Sequence, residues 1–337
     1  EPPSPFATDD DGRSRQAAEV RGRLSAQELA AVWTDGRATS IEALVEAFEP
    51  RPIGEEPGRH GQLAQSLAER GGDEVVLMGR PDIDLAMPGS AEDAIVRALP
   101  DMVVNAAAYT AVDRAETEEE LARRINVDAV AEIAAVTNDR AIPLVHISTD
   151  YVFDGRATRP YVETDPASPL GVYGRTKLAG EEVVRAANPH HLILRTSWLY
   201  SPFGRNFVRT MLDLGRTRDE LQVVADQQGN PTSALDIADA ILFVARRWAD
   251  RDHTGFGETY HLAGTGIASW CDLAVAVQAE AGTGASVTPI ATVDWPTPAP
   301  RPAFSALDCA KFARDFGHVM PEWRVSLAPV VARLVAA

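Results

Sequence analysis

The stretch LVHISTDY at residues 144–151 joins a short apolar run to a cluster of hydroxyl and carboxyl side chains. Similar apolar runs, each bounded by turn residues, occur at Glu74–Met78, Met102–Asn105 and Leu192–Thr196. Near-continuous apolar strands of this kind are typical of a parallel sheet that helices cover on both faces. We therefore predict that residues 144–148 form one strand of such a sheet, with the polar residues at its carboxyl end.

Helical stretches alternate with these apolar runs. They are predicted over Gln62–Glu69, Ala91–Leu99, Glu118–Thr137 and Lys177–Ala187. Alternation of strands and helices predicts an α/β fold built on a doubly wound, Rossmann-like parallel sheet.

The C-terminal third of the chain has a more mixed pattern. Helices are predicted near Ala234–Trp248, Trp270–Ala281 and Cys309–Phe316, and short strands near Leu221–Val224 and Thr259–Leu262. We interpret residues 58–200 as a dinucleotide-binding core. Residues 201–337 are interpreted as a smaller, mixed substrate-binding region, some of whose strands return to the core.

Residues 1–57 differ from the rest and are predicted to form a partly ordered N-terminal extension. Two capping-box spacings, Ser25 with Glu28 and Thr39 with Glu42, indicate short helices. After the second of them, the four apolar residues between 41 and 48 recur at i, i+3, i+4 and i+7, which is typical of one helical face. No residue of this extension is predicted to take part in chemistry.

Composition excludes several classes of protein. The 337 residues are 45% hydrophobic, which suits one large or two modest domains, and no apolar run is long enough to span a membrane. The N-terminus lacks the apolar core of a secretory signal. Only Cys271 and Cys309 are present, too few for a disulfide scaffold or a cysteine zinc site, and this fits the reducing cytoplasm. The net charge of −17 argues against a nucleic-acid or anionic membrane surface.

A glycine-rich turn, GRHGQLA at residues 58–64, leads into a predicted helix. Glycines at such a turn let the backbone approach a pyrophosphate, which binds the free N–H groups of the helix N-terminus. The motif needs a hydrophobic strand directly before it, and residues 51–57, RPIGEEP, do not resemble a central parallel strand. A surface turn before a helix is therefore the alternative interpretation.

Tyr173 and Lys177 lie four residues apart, on one face of a predicted helix. An ammonium beside a tyrosine can lower the phenol pKa from about 10 toward neutrality, as an acid or base near pH 7 requires. Such a pair is rare by chance in a chain with six tyrosines and two lysines. An ordinary helix pair is the alternative.

Polar or small residues follow two of the predicted strands. Ser148–Tyr151 lie at the carboxyl end of a strand, the edge where open α/β sheets bind ligands, and a hydroxyl there can hydrogen-bond a substrate oxygen. The segment could also be a strand-ending turn in which Asp150 and Asp154 cap the backbone. Asn105–Thr110 could admit a flat ring or a ribose, although alanines are also common in protein cores.

Together these segments resemble the dTDP-4-dehydrorhamnose reductase family of the extended short-chain dehydrogenases/reductases. The resemblance runs from about residue 58 to residue 327 through seven ordered segments: NAAAYTAVDRAE (105–116), STDYVFDG (148–155), SPLGVYGRTK (168–177), RTSWLY (195–200), NFVRTML (206–212), VVADQQGNPT (223–232) and RPAFSALD (301–308).

The resemblance implies a catalytic role for three residues. Tyr173 would protonate the C4 oxygen of a keto sugar as a hydride arrives from a nicotinamide. Lys177 would lower the pKa of Tyr173 and hold the nicotinamide ribose, and Thr149 would hydrogen-bond the same carbonyl oxygen.

The resemblance also implies binding residues. Cofactor contacts fall on Gly58, Arg59, Gly61, Gln62, Leu63, Arg80, Asp84, Leu85, Ala108, Tyr109, Thr110, Tyr173 and Lys177. Substrate contacts fall on Thr149, Asp150, Trp198, Asn206 and Arg301. Where many relatives have an acid that binds the adenosine ribose, this chain has Gly79-Arg80, and Arg80 or Arg59 could pair with a 2′-phosphate. NADPH is therefore favoured over NADH, which remains possible, and no metal is expected.

The implied function is reduction of dTDP-4-dehydro-6-deoxy-L-mannose to dTDP-L-rhamnose in the cytoplasm, by a possible homodimer. A sugar-nucleotide dehydratase or epimerase of the same superfamily is one alternative. Dehydratases of this group carry Asp-Glu after the threonine, whereas Asp150-Tyr151 follow Thr149 in this chain. A non-catalytic binding protein is the other alternative, and the expected loss of the first strand favours it.

Overall fold

The structure is a computed structural model that describes residues 61–337 and two short strands upstream, β1 (Ile41–Leu44) and β2 (Ala47–Phe48). The helix predicted to begin at Ser25 lies outside the described residues.

Six parallel strands form the main sheet, in the order β12–β7–β6–β4–β1–β3. Besides β1, its members are β3 (Val75–Met78), β4 (Val103–Asn105), β6 (Leu144–Thr149), β7 (His191–Thr196) and β12 (Glu258–His261). The predicted α/β fold with a doubly wound parallel sheet is confirmed.

Strand β1 corrects two expectations drawn from the sequence. Ile41 pairs in parallel with Val75 of β3, and Glu42 pairs with Val103 of β4, so β1 lies between these two strands, next to the edge strand β3. The helix predicted over residues 41–48 is therefore wrong, and so is the expectation that the sheet lacks a first strand. A short apolar run fits both the helical and the strand period, and here two parallel neighbours provide the backbone partners. The boundaries given above for the N-terminal extension, the dinucleotide-binding core and the substrate-binding region otherwise remain predictions.

The helices of the described residues are α1 (Gln62–Gly71), α2 (Ser90–Ala98), α3 (Val112–Ala115), α4 (Glu119–Arg123), α5 (Ala129–Asp139), α6 (Val172–Ala187), α7 (Phe207–Gly215), α8 (Ala234–Ala249), α9 (Trp270–Ala281), α10 (Ala310–Phe316) and α11 (Trp323–Ala336). A π-helical turn, Arg124–Asp128, joins α4 to α5. Helices α3, α7 and α11 lie in none of the helical stretches predicted from the sequence. Within the described part of the chain, no helix has the length and apolar character needed to cross a membrane.

Short strand pairs surround the main sheet, most of them in the C-terminal third. They are β2 with β5 (Ala108–Tyr109), β8 (Leu199–Tyr200) with β11 (Thr232–Ser233), β9 (Glu220–Val224) with β14 (Ser286–Ile290), and β10 (Gln228–Gly229) with β13 (Ala268–Ser269). This mixture of short strands and helices fits the mixed pattern expected for the C-terminal third.

Two apolar layers lie on opposite faces of the sheet. On β4, Val104 packs with residues of α1 and α8, whereas its neighbour Val103 packs with residues of α2, α5 and α6. Successive strand residues point to opposite faces, so both faces of β4 are buried. Because helices cover both faces, the carboxyl ends of the strands form an uncovered end of the sheet. The predicted site residues lie at this end.

Candidate active site

The carboxyl end of β6 fixes the first predicted catalytic side chain. Thr149 ends the strand, and Asp150–Val152 form one 3-10 turn directly after it. The Thr149 hydroxyl accepts a hydrogen bond from the backbone N–H of Tyr151 at 3.2 Å and so caps this turn. The hydroxyl is therefore held at the open edge of the sheet.

Helix α6 brings Tyr173 to the same edge. The Thr149 hydroxyl lies close enough to Tyr173 to lower the pKa of its phenol, and the Tyr151 ring meets the Tyr173 ring edge-on, with centroids 5.7 Å apart. Gly174 permits this approach, because a Cβ atom there would overlap the carbonyl oxygen of Tyr151. The structure thus joins the two residues that the sequence places 24 positions apart.

Lys177 lies one turn further along α6 and is 2% exposed. Its Nζ donates to the carbonyl oxygen of Ile147 on β6 at 2.7 Å. Burial lowers the pKa of Lys177 to about 8, and the negative charge of Glu181 acts against this lowering. The ammonium is thereby anchored to the strand that carries Thr149.

Burial raises the pKa of Tyr173 to about 12, whereas the nearby Thr149 hydroxyl acts to lower it and the charge of Asp150 to raise it. Tyr173 is consequently a protonated phenol at neutral pH, the form that an acid needs. The Lys177 ammonium binds the Ile147 carbonyl in this structure, and the expected lowering of the Tyr173 pKa by Lys177 remains a prediction.

Asp150 adds a second acid to this edge. It is 2% exposed, and its Oδ1 accepts from the Thr149 hydroxyl at 3.1 Å, whereas Oδ2 has no hydrogen-bond partner among the described residues. Burial raises the pKa of Asp150 to about 7, although the nearby hydroxyls of Ser305 and Thr149 lower it. A substantial fraction of this carboxyl is therefore protonated near neutral pH.

A buried ion pair under the site was missed by the sequence reasoning. Glu181 accepts from the Ser148 hydroxyl at 2.6 Å and from two nitrogens of Arg195 at 2.8 and 2.7 Å, and Arg185 also binds it. Burial acts to raise the pKa of Glu181, but the hydrogen bonds and charge of Arg195 hold it below its usual value. The available signal was an arginine inside the apolar run HLILRT of residues 191–196.

The predicted pyrophosphate turn is described only in part, because Gly58 and Arg59 lie outside the described residues. Gly61 precedes the first turn of α1, and no side chain of the described residues caps this N-terminus. Leu63 is buried in the core, and the Gln62 side chain accepts from the Ser201 hydroxyl at 3.0 Å. Backbone N–H groups, rather than these side chains, are thus suited to an anion.

The other predicted cofactor residues follow β3 and β4. Asp84 accepts from the N–H of Ala86 at 2.9 Å, and Leu85 is buried in the core. Arg80 is partly buried, two residues beyond the end of β3.

After β4, Ala108 and Tyr109 are buried and Thr110 is exposed. The Tyr109 hydroxyl donates to Glu118 at 2.7 Å, and the Tyr109 backbone N–H and carbonyl both bond the Asn126 side chain, so a cofactor contact at Tyr109 remains a prediction.

Trp198 is held by aromatic packing after β7. Its backbone is left-handed, with φ of 46°, and its ring stacks on Trp270 with centroids 3.6 Å apart and an interplanar angle of 5°. A Cβ atom on Gly229 would lie 2.6 Å from the Trp198 ring. The indole therefore has one fixed orientation.

The side chains of the two remaining predicted substrate residues already form bonds within the protein. The Asn206 side chain caps α7 by accepting from the N–H of Arg209 at 3.0 Å. Arg301 forms an ion pair with Asp113 at 2.8 Å. A substrate contact at either residue would have to add to these bonds or replace them, and both contacts remain predictions.

Comparison with known proteins points in the same direction. The family model described as RmlD substrate binding domain matches residues 56–336. A dTDP-4-dehydrorhamnose reductase of Sinorhizobium fredii is 45% identical over 284 residues, which cover 82% of this chain and 96% of that protein.

Two solved structures have the same fold. The dTDP-4-dehydrorhamnose reductase of Clostridium acetobutylicum has a TM-score of 0.78 and 37% identity, covering 88% of this chain and 99% of that chain. The enzyme of Bacillus anthracis, solved in complex with NADP, has a TM-score of 0.77 and 31% identity with the same coverage. The chain therefore belongs to the dTDP-4-dehydrorhamnose reductase family and is an oxidoreductase.

Proposed function

We propose that this protein transfers a hydride from NADPH to the C4 keto group of dTDP-4-dehydro-6-deoxy-L-mannose, giving dTDP-L-rhamnose. The closeness of the Thr149 hydroxyl to Tyr173, next to the anchored Lys177, carries the proposal. Both hydroxyls lie at the carboxyl end of a parallel sheet, where a carbonyl oxygen could receive one hydrogen bond from each, and the proton of the Tyr173 bond could then be transferred.

The residues of this chain fit a nicotinamide dinucleotide. Strand order reverses at β1, which has β3 on one side and β4 on the other, and open α/β sheets bind dinucleotides in the crevice at such a point. The N-terminus of α1 at Gly61 is suited to the pyrophosphate, and the small residues after β4 leave room for a ribose. NADPH would supply the hydride, and the Bacillus anthracis relative was solved with NADP.

The three catalytic side chains have distinct tasks in this reaction. Tyr173 holds a proton on its phenol oxygen and gives it to the C4 oxygen. Thr149 donates a hydrogen bond to the same oxygen and orients it. Lys177, fixed to Ile147, holds the ribose and supplies positive charge near the developing alkoxide.

Two features favour reduction over the alternatives. A dehydratase needs a second proton-transfer group after Asp150, but Tyr151 occupies that position and packs its ring on Tyr173. The non-catalytic alternative was favoured by the expected absence of a first strand, and β1 removes that argument. Assembly as a homodimer and a cytoplasmic location remain predictions.

The test is NADPH oxidation by the full chain, followed by the loss of NADPH absorbance, with dTDP-4-dehydro-6-deoxy-L-mannose as substrate. Oxidation that depends on the sugar nucleotide, with dTDP-L-rhamnose as product, would support the proposal. NADPH binding without turnover of this substrate would contradict the substrate assignment. Failure of the folded protein to bind NADPH would contradict the reductase assignment itself.

A further inference from the structure

We propose that Ser201 is a positioning residue that couples the two ligands of this site. Its hydroxyl joins Gln62, beside the predicted pyrophosphate turn, to the segment of residues 201–206, the 201–206 loop, which ends at the predicted substrate residue Asn206. The inference rests on the proposed function, because it needs a dinucleotide at Gly61 and a nucleotide sugar at Asn206. Through this contact, bound NADPH strengthens the binding of the nucleotide sugar.

The contact joins two segments that come from opposite sides of the site. Gln62 begins α1, the first described helix after β1, and Ser201 follows β7 and β8. In the sheet, β4 and β6 lie between β1 and β7, and β6 ends at Thr149. The cofactor side and the substrate side of the candidate site are therefore connected directly, by two side chains.

The Ser201 hydroxyl is shared between α1 and the 201–206 loop. Ser201 is fully buried, and its hydroxyl has one proton. Two oxygens lie within reach of that proton: Oε1 of Gln62 at 3.0 Å and the carbonyl oxygen of Phe203 at 2.9 Å. The backbone N–H of Phe203 also donates to the hydroxyl at 3.1 Å. The position of Gln62 therefore affects how this hydroxyl holds the loop.

The same loop backbone fixes the side chain of Asn206. Its Nδ2 donates to the carbonyl oxygens of Ser201 at 2.9 Å and Phe203 at 3.3 Å, and its Oδ1 accepts from the N–H of Arg209 at 3.0 Å. An amide oxygen has two acceptor positions, so one position of Oδ1 remains for a hydrogen-bond donor of the nucleotide sugar. The direction of that position depends on the loop that Ser201 holds.

A second contact ties α1 to the loop. Arg333 of α11 donates to both carboxylate oxygens of Glu69 on α1, at 2.7 and 2.8 Å. Its guanidinium lies 5.3 Å from the centroid of the Phe203 ring, within the range of a cation–π contact. Both halves of α1 are thus connected to the loop, but Gln62 is the member of these contacts that lies beside the predicted pyrophosphate turn.

This arrangement predicts positive coupling between the two ligands. A dinucleotide on the first turn of α1 fixes Gln62, so the 201–206 loop is held before the nucleotide sugar arrives. The sugar nucleotide then has less of the loop to order, and its Kd falls. Coupling of this kind is reciprocal, so the nucleotide sugar strengthens NADPH binding by the same factor.

The test measures the Kd of dTDP-L-rhamnose by calorimetry, with and without saturating NADPH. The sugar is already reduced, so it cannot react with NADPH during the titration. In the wild type we expect NADPH to lower this Kd by roughly fivefold or more. If both ligands bind the wild type and neither changes the Kd of the other, the coupling is refuted.

Ser201→Ala removes the shared hydroxyl, so the ratio of the two Kd values should fall to about twofold or less. A purely structural role of Ser201 would change both Kd values and leave their ratio as in the wild type, and this outcome would overturn the proposal. Ser286→Ala is the control, because its hydroxyl donates to the carbonyl of Asp219 at 3.1 Å on the exposed end of β14, and it should keep the wild-type ratio.

If Ser201→Ala does not fold, Gln62→Met takes its place. It keeps a side chain of similar length without the oxygen that faces Ser201, and it should lower the ratio in the same way. A wild-type ratio in the folded Gln62→Met protein would equally overturn the proposal.

Hydrogen exchange of the wild type with NADPH alone tests the connection without a sugar nucleotide. Bound NADPH should slow amide exchange in residues 201–206, and it should slow it less in Ser201→Ala. Unchanged exchange in the NADPH-bound wild type would overturn the proposal. If NADPH slows exchange but dTDP-L-rhamnose does not bind, the proposed substrate is contradicted and the connection between Gln62 and the loop stands. If the folded protein does not bind NADPH, both the reductase function and the coupling are contradicted.

Discussion

At the scale of single residues, the proposed acid of this site is one atom, the phenol oxygen of Tyr173. Tyr173→Phe keeps the ring that packs edge-on against Tyr151 and removes only the proton donor. We expect kcat to fall at least roughly a hundredfold, the usual contribution of a positioned general acid. Steady-state kinetics with NADPH and the sugar nucleotide would measure this.

The matched control is Tyr260→Phe, which removes the same atom from a tyrosine whose hydroxyl donates to Asp315 at 3.1 Å in the core. It should leave kcat near the wild-type value. Equal turnover by wild type and Tyr173→Phe would exclude Tyr173 as the acid.

A single guanidinium is expected to decide between the two nicotinamide cofactors. Arg80 follows β3, where the 2′-phosphate of NADPH would lie. Arg80→Ala should raise the Kd for NADPH about tenfold or more, since a hydrogen bond to a charged group contributes about 1.5–3 kcal/mol, and leave the Kd for NADH nearly unchanged. Titration of the cofactor fluorescence would measure both constants.

Arg97→Ala removes an equal charge from the exposed surface of α2 and serves as the control. If Arg80→Ala weakens both cofactors by the same factor, Arg80 does not recognise the phosphate.

At the scale of elements, Glu181 joins three pieces of the site. It lies on α6 and binds Ser148 of β6 and Arg195 of β7, and neither Glu181 nor Arg195 is appreciably exposed to water. Ser148 directly precedes Thr149, and Lys177 lies one turn before Glu181. The spacing between α6 and β6, which carry the proposed catalytic residues, thus depends on the buried Glu181–Arg195 pair.

Glu181→Gln should destabilise the protein by about 3–5 kcal/mol, because it leaves the Arg195 charge buried and unpaired. The pKa of Glu181 lies below its unfolded value of about 4.3. Its stabilisation is therefore complete above that pH and is lost as pH falls through the folded pKa. Denaturant unfolding at several pH values should show a lower free energy of unfolding for Glu181→Gln than for the wild type at pH 7. This difference in free energy should become smaller as the pH falls.

Glu182→Gln is the natural control, since Glu182 is exposed on the same helix, and it should change stability by less than about 0.5 kcal/mol. A similar small effect for Glu181→Gln would mean that the buried pair does not hold the elements together.

At the scale of the whole molecule, the cofactor crevice depends on a strand that precedes the recognisable family pattern. Residues 40–337 form one compact unit that includes β1. Deletion of residues 1–57 should abolish NADPH binding, because it removes the strand between β3 and β4. Deletion of residues 1–39 keeps β1 and should preserve binding. Equal NADPH affinity of the two truncated proteins would show that β1 is not needed.

The sequence predicts the architecture well wherever an apolar run is flanked by turns. The runs around Val104 and Ile193 become parallel strands, because their side chains are buried on both faces. It fails at Ile41–Leu44, because four residues are too few to separate the helical from the strand period. The neighbours of a strand are determined by the tertiary structure, and both neighbours of β1 come later in the chain.

The candidate site is predictable to the same degree. The tendency of parallel sheets to bind ligands at the carboxyl ends of their strands, together with the family pattern, predicts that Thr149 and Tyr173 lie together, and the structure has the Thr149 hydroxyl close to Tyr173. The raised pKa of Tyr173 was not predictable, because it depends on burial and on where Lys177 directs its ammonium. The Trp198–Trp270 stack and the Glu181–Arg195 pair also depend on contacts between distant segments.

The strand order has a consequence for how this chain is made. β3 pairs with β1, and β4, β6, β7 and β12 then follow one another outward from β1 along the same direction of the sheet. A ribosome releasing the chain from its N-terminus would supply each strand in the order in which the growing edge can accept it. No finished part of the sheet would have to reopen, and at about 5–20 residues per second the edge would wait on the order of ten seconds for its last strand. During that interval an unpaired edge would be open to other chains, so a chaperone would act most usefully before residue 261 has emerged.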